Sequence, residues 1–242
     1  MNKNPLNKIT PPKKSDHEAD FISKSQVEKL LSTAKEIRLW TYRFLFLAFK
    51  TGMRRGELLG LRWSNIEFNN KKISVRKNIV KTSEESAYEK KPKSKEGIRP
   101  IIVSNDVIDM SRELQKEQTK LKMKIKYNDN NLIFCMVDGS KVKPHTSYHR
   151  YTKIFKKAGL SNFNLKSLRH THATFLLQAG VHPKIVQERL GHSSIKITLN
   201  TYSHVLPTLQ EGAVNDFENY IAESDFDKNA GDMPGDTKIT HF

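Results

Sequence analysis

The chain has 242 residues, 36% of them apolar, enough to bury the core of one large domain or two small ones; no run of 18 apolar residues offers a membrane span, and the polar N-terminus MNKNPLNKITPPKKSDHEAD lacks the apolar stretch of a secretory leader. Cys135 is a lone cysteine that forms no internal disulfide and completes no zinc spacing with the histidines, so a reducing, cytoplasmic setting is expected, with no metal and no cofactor. A net charge of +16 points to a polyanionic partner, with a merely solubilising surface as the plainer alternative.

Residues 1–20 combine Pro5, Pro11 and Pro12 with charged neighbours and read as a linker or disordered lead, with order beginning near Phe21. The spacing of Val27, Leu30, Leu31, Ala34 and Ile37 predicts a helix from Ser25, with Ser23 or Ser25 available as its cap. A second apolar helix runs from Leu39 to Lys50 and stops at Thr51-Gly52; GELLGL follows as a short helix. KKISVRKNIV and IRPIIV (Ile98 to Val103) read as strands of one small sheet, and the charged TSEESAYEKKPKSKEG between them as an exposed turn or loop. After Ser104-Asn105 a long polar helix is predicted from about Asp106 to Lys126, then NLIFCM as a short strand or extended piece. Further helices are predicted over Thr146–Ala158, Leu165–Gln178, Pro183–Leu190, Ile195–Tyr202 and Leu206–Ile221, separated by Gly159, Gly180 and Gly191.

Residues 206–242 carry two lysines (Lys228, Lys238) against eight acids, which leaves 40 basic and 18 acidic side chains, a net of +22, on residues 1–205. An excess of that size fits a nucleic-acid backbone. The fold class expected is mainly α with a small antiparallel β-sheet (α+β), divided into the lead 1–20, a main domain 21–205, a C-terminal helix 206–222 and a disordered acidic tail 223–242.

Three separated clusters carry chemistry: TGMRRGELLGLRW (51–63), LKSLRHTHATFLLQAG (165–180) and LGHSSIKITLNTYSHV (190–205). Each is weak evidence by itself, but three in this order are specific. Together they closely resemble the signature of the tyrosine recombinase family of the phage-integrase type: an arginine in T-G-x-R-x-x-E, an arginine in L-R-H-T, then L-G-H, then a tyrosine nine or ten positions on. The matching residues are Arg54, Arg169, His192 and Tyr202, and the resemblance covers about Phe21 to Val205.

The resemblance implies a catalytic domain that cleaves and rejoins double-stranded DNA through a 3′-phosphotyrosyl bond. Two guanidiniums suit that chemistry, since paired N–H donors on the non-bridging oxygens bind the phosphate and offset the charge that builds during attack. Tyr202 would be the nucleophile; its phenol has an ordinary pKa of about 10, and the arginines are expected to supply the positive charge that favours the phenolate. His192 would hydrogen-bond a non-bridging oxygen. Glu57, one turn after Arg54, would orient that arginine, and His170 would brace the helix that carries Arg169. Tyr42, Tyr88, Tyr127, Tyr148, Tyr151 and Tyr220 read as amphipathic core residues.

The family also places a lysine on the turn between its second and third strands, as proton donor to the departing 5′-oxygen. With Arg99 taken as the arginine that opens the next strand, that lysine is Lys93, with Lys95 as the alternative. One position departs from the pattern: three residues before the second arginine the family usually has His, and this chain has Lys166. A lysine there donates to phosphate, but its ordinary pKa of about 10.4 makes it a poor base. His170 and His172, at i and i+2 on a helix, face opposite sides and do not make a metal site.

The partners implied are DNA and other protomers on paired sites, a tetramer in the synapse and a monomer when free, together with accessory DNA-bending or directionality proteins. A type IB topoisomerase, which relaxes DNA by similar chemistry, is the nearest rival, and a non-catalytic DNA-binding relative is a second. A metal-dependent nuclease would want clustered carboxylates. The family's N-terminal core-binding and arm-binding domains do not fit within twenty residues, so the chain is expected to be part of a longer integrase.

Overall fold

Ser23 and Gln26 start the first helix by capping one another's backbone: Ser23 Oγ accepts from Gln26 N at 3.3 Å, and Ser23 N donates to Gln26 Oε1 at 2.9 Å. The computed structural model describes residues 21–76, 78–81, 87–90, 98–202 and 206–223. The lead 1–20, the tail from 224 onward, and Lys93 and Lys95 lie outside the described residues. Helix α1 (Lys24–Ile37) buries Val27, Leu30 and Ala34 at helical spacing, and the extended backbone of Arg38 separates it from α2 (Leu39–Thr51). Helix α2 is the central element, burying Phe44, Leu45, Leu47 and Ala48, and it ends at Gly52 in the left-handed region, φ 63°.

Helix α3 (Arg55–Leu59) and a 3-10 turn (Trp63–Asn65) lead into β1 (Ile66–Glu67) and β2 (Lys72–Val75). Strand β5 (Arg99–Ile102) completes an antiparallel sheet of order β1-β2-β5, with Ile73 opposite both Ile66 and Ile101, and Val75 opposite Arg99. Ile73, Val75, Arg99 and Ile101 point inward.

The single sheet expected from the sequence is two sheets. KKISVRKNIV splits near Arg76: its second half is β3 (Asn78–Lys81), which pairs with β4 (Ala87–Lys90) as a separate ribbon inserted between β2 and β5. Strand β4 lies within the segment predicted to be a turn or loop. Ala-Tyr-Glu-Lys carries no alternation of apolar and polar residues that would announce a strand.

Helix α4 (Asn105–Lys124) stops two residues earlier than expected, where Ile125 takes an extended backbone. The NLIFCM stretch forms no strand: it bends at Ile133 and Phe134, and single bridges hold it, Arg62 to Leu132 and Cys135 to Lys141. Then come α5 (Pro144–Lys157), α6 (Leu165–Gln178), α7 (Pro183–Leu190), α8 (Ile195–Thr201) and α9 (Leu206–Glu223). Asn164 caps α6 through Lys166 N at 2.8 Å, and Gly191, φ 67°, ends α7. Tyr148 and Tyr220, read as core residues, are 45% and 71% exposed, whereas Tyr151 is buried.

Most buried apolar residues form one core between α1, α2, the three-stranded sheet, α4 and α5. A second, small cluster of Ala173, Leu177, Val186, Leu190 and Tyr202 joins α6, α7 and the end of α8. Among the described residues, no helix is long and apolar enough to cross a membrane, and no three His, Cys, Asp or Glu side chains group as a metal site.

Candidate active site

The first box is built around a backbone that admits no side chain. A Cβ on Gly52 would meet His172 Cδ2 at 2.7 Å and Leu190 Cδ2 at 2.8 Å, and its positive φ disfavours any other residue. The Gly52 carbonyl accepts from Arg169 Nη1 at 2.7 Å. Glycine at 52 therefore brings the start of α3, with Arg54, against α6 and α7.

Three arginines then end on the same short stretch of backbone. The last carbonyls of α7 and its cap accept in sequence: Arg189 O from Arg99 Nε at 2.6 Å, Leu190 O from Arg169 Nη2 at 2.7 Å, and Gly191 O from Arg54 Nη2 at 3.1 Å. A helix C-terminus presents unpaired carbonyls and the negative end of the helix dipole, so it offsets the repulsion among clustered guanidiniums. Glu57, 4% exposed, adds a full negative charge beneath them. It takes Arg99 with both oxygens, at 3.1 and 3.0 Å, and Arg54 through Nη1 at 2.9 Å and the backbone N at 2.8 Å. Burial alone would raise the Glu57 pKa, but the bonds and charge of Arg99 and Arg54 outweigh it and hold the carboxyl low. Arg169 is pulled down to about 9 by burial first and by Arg54 second, so it keeps its proton at neutral pH.

His192 turns the chain from α7 into α8, and its Nδ1 lies 2.9 Å from Thr198 Oγ1. Burial, then Arg169 and Arg54, push its pKa down to about 3, so the ring is neutral. If the Thr198 hydroxyl donates to Nδ1, Nε2 carries the proton and is free to donate to an anion.

Tyr202 ends α8 and is 1% exposed, packed on Ala173, Leu177, Val186 and Leu190. Its pKa is pushed up to about 12 by burial, with Arg169 opposing. Arg169 acts in the expected direction, toward the phenolate, but loss of hydration outweighs one nearby guanidinium and the net shift is upward. Tyr202 Oη lies 2.9 Å from His170 Nδ1. His170, expected to brace its helix, instead meets the tyrosine hydroxyl. Lys166 is exposed one turn before Arg169, on the same helix.

Of the residues singled out, Arg54, Glu57, Arg169 and His192 converge around the end of α7, and His170 and Tyr202 meet beside them. Two arginines of the network were missed. Arg99 served only to align the lysine turn, and Arg189 drew no attention. Arg189 donates to His172 Nε2 at 3.0 Å, Ile102 O at 2.9 Å and Lys50 O at 3.1 Å, tying α7 to α6, β5 and α2. His172 is held neutral, at about 3, by burial and by Arg189. It faces away from His170, as the i, i+2 spacing implies.

A profile of the phage integrase family matches residues 20–208. The chain is similar to a "Tyrosine recombinase XerC-like" protein of Caldanaerobacter subterraneus subsp. tengcongensis, 34% identical over 219 residues, covering 85% of this chain and 55% of that protein. It is also similar to the ICEBs1 integrase of Bacillus subtilis, 26% identical, with 83% and 55% covered. The chain thus spans about half the length of these curated relatives. Among solved structures, the Tn1549 transposon integrase in complex with transposon right end DNA shares the fold with a TM-score of 0.72 at 22% identity, covering 90% of this chain and 72% of that one. XerA recombinase does so with a TM-score of 0.62 at 22% identity, covering 83% and 66%. With its motif boxes gathered at one helix end and a family match over most of its length, the chain belongs to the phage integrase family.

Proposed function

We propose that this chain is the catalytic domain of a site-specific DNA recombinase that cleaves and rejoins strands through a 3′-phosphotyrosyl bond, serving integration or excision of a mobile element or prophage. The observation that carries this reading is the capping of consecutive carbonyls at the end of α7 by Arg99, Arg169 and Arg54, next to His192 and the helix that ends in Tyr202. Arg54 and Arg169 present their remaining N–H groups to the non-bridging oxygens, and His192 adds a neutral donor. Tyr202 Oη attacks phosphorus, the bond to the 5′-oxygen breaks, and Lys93 gives that oxygen its proton. The phosphotyrosyl bond conserves the phosphodiester's energy, so religation calls for neither nucleotide nor metal. Lys166 acts as a charged donor to phosphate.

The net charge of +22 on residues 1–205 supports double-stranded DNA as the partner, as do relatives whose structures were solved on DNA. Binding carried by phosphate contacts should be strongly salt-dependent. Val214, Phe217 and Tyr220, exposed on α9, suit packing against a neighbouring protomer in a tetrameric synapse. The test is incubation with supercoiled plasmid DNA followed by denaturation. Protein should be found covalently attached to a 3′ end in the unaltered chain and absent in Tyr202→Phe, with the fold retained. An adduct that persists in Tyr202→Phe would overturn the nucleophile.

A further inference from the structure

The phenol that must attack is deeply buried, and it needs somewhere to leave its proton. Among the described residues its hydroxyl has one hydrogen-bond partner, His170 Nδ1 at 2.9 Å, with the two rings edge to face at 5.7 Å. Lys166 is exposed, and no hydrogen bond joins it to the Tyr202 hydroxyl among the described residues. Arg169, on the same helix, is a permanent donor already engaged with two carbonyls. His192 directs Nδ1 at Thr198 instead.

We propose that His170 is the base that takes the proton from Tyr202 during attack, a role that rests on Tyr202 being the nucleophile. The Tyr202 O–H bond breaks and its proton passes to His170 Nδ1, while Oη forms the bond to phosphorus and the 5′-oxygen departs. On religation His170 returns the proton to the phenol, so the imidazole ends as it began. Burial makes this transfer necessary, since it holds the phenol at about 12. His170 itself is only half-buried, next to Arg169 on the same helix.

The test compares single-turnover adduct formation on supercoiled plasmid DNA for the unaltered chain, His170→Asn and His170→Ala. Asparagine places an acceptor oxygen where Nδ1 stood but cannot take a proton. Both variants should form adduct about 10²-fold more slowly or worse, the scale of lost general-base catalysis, while melting normally and binding DNA. Added imidazole should restore His170→Ala in proportion to its free base and leave His170→Asn slow. A His170→Asn rate equal to the unaltered chain's would overturn the base and leave a hydrogen bond that only positions the ring. A faster His170→Ala would make the contact a restraint on the tyrosine, which also overturns it. Absence of adduct from the unaltered chain removes the parent reading and this one together.

A different observation, independent of the active site, carries a second proposal. His145 and His149 sit one turn apart on α5, both exposed, with their Nε2 atoms 2.9 Å from one another. Metal–imidazole bonds of about 2.0–2.1 Å at a right angle span about 2.8–3.0 Å between nitrogens, so the pair already has the bite of a square-planar or octahedral chelate. We infer that His145 and His149 form a two-point site for a divalent ion of tetragonal preference, Cu²⁺ or Ni²⁺, with water in the remaining positions. Titration with nickel chloride should raise the melting temperature of the unaltered chain, and copper sulfate should give a visible d–d band. Both responses should disappear in His145→Gln and in His149→Gln. Responses that survive in the double variant, or are missing from the unaltered chain at millimolar metal, would overturn the site.

Discussion

Arg169 is held at two points by backbone carbonyls, those of Gly52 and Leu190, and Arg54 and Arg99 are fixed to the same helix end and to one buried carboxylate. Tyr202, by contrast, terminates a seven-residue helix and is fixed by one side-chain hydrogen bond and apolar packing. The phosphate-binding groups are set before any ligand arrives, and the nucleophile is stored a short distance away. Charge stabilisation gains from groups that need not reorganise. A nucleophile that attacks and is later regenerated gains from freedom to move.

Removing a group from either region should affect chemistry and stability in different proportions. Arg169→Ala and Arg54→Ala should each slow adduct formation by about 10²-fold or more, on the scale of a lost oxyanion donor. Their melting temperatures should differ. Arg169→Ala leaves two buried carbonyls without donors, at about 1–3 kcal/mol each, whereas the Arg54 side chain is 43% exposed. Equal loss of stability would mean that the two arginines are held alike. The control is Arg112→Ala, because Arg112 is exposed and its contacts, Asp109 at 3.7 Å and the Phe68 ring at 5.7 Å, are long; Arg62 and Arg150 are poorer choices, the first donating to Asn130 O at 3.0 Å and the second lying half-buried over the Trp40 ring at 4.8 Å.

A sulfur in place of the bridging 5′-oxygen needs no proton to leave, so that substrate should rescue Lys93→Ala selectively; rescue of Lys95→Ala in its place would move the donor by two residues. Smaller still is the expected response to acid. His172 and His192 are both held at about 3, below the ordinary 6.5, so below pH 6.5 the native chain binds fewer protons than the unfolded one. Stability present above 6.5 should decline as pH falls toward 3, and His172→Gln should flatten that decline in a series of thermal melts. An unchanged slope would place the titration elsewhere. The smallest effect is expected at Lys166, where Arg should retain most of the cleavage and Ala should lose less than Arg169→Ala does. A Lys166→Arg variant as inactive as Lys166→Ala would remove the charged-donor role.

The sequence disclosed helices best where their ends are chemically marked. The bounds expected for α6 and α7 match the structure residue for residue, and the structure shows Asn164 capping the first, Pro183 starting the second and Gly191 ending it. The motif boxes were legible because phosphate chemistry restricts which residues can serve. Arg99 and Arg189 were not, because their roles lie in contacts 17 to 139 residues away along the chain. Strand β4 was hidden for a related reason: pairing with β3 defines it, and no local pattern does. The burial of Tyr202 was equally invisible, since a tyrosine after L-G-H reads the same whether its hydroxyl faces solvent or His170.

The end of α7 has one more consequence, for tolerance to movement. Three guanidiniums share neighbouring carbonyls at one helix end, so a slide of α7 would move those acceptors together, against the Gly52 carbonyl and the Glu57 carboxylate that hold the same arginines from outside that helix. A residue inserted within α7 is a different matter. It turns everything beyond it by about 100° and advances it by about 1.5 Å, which mispositions all three acceptors in one step. The site is therefore intolerant of a change in that helix's length.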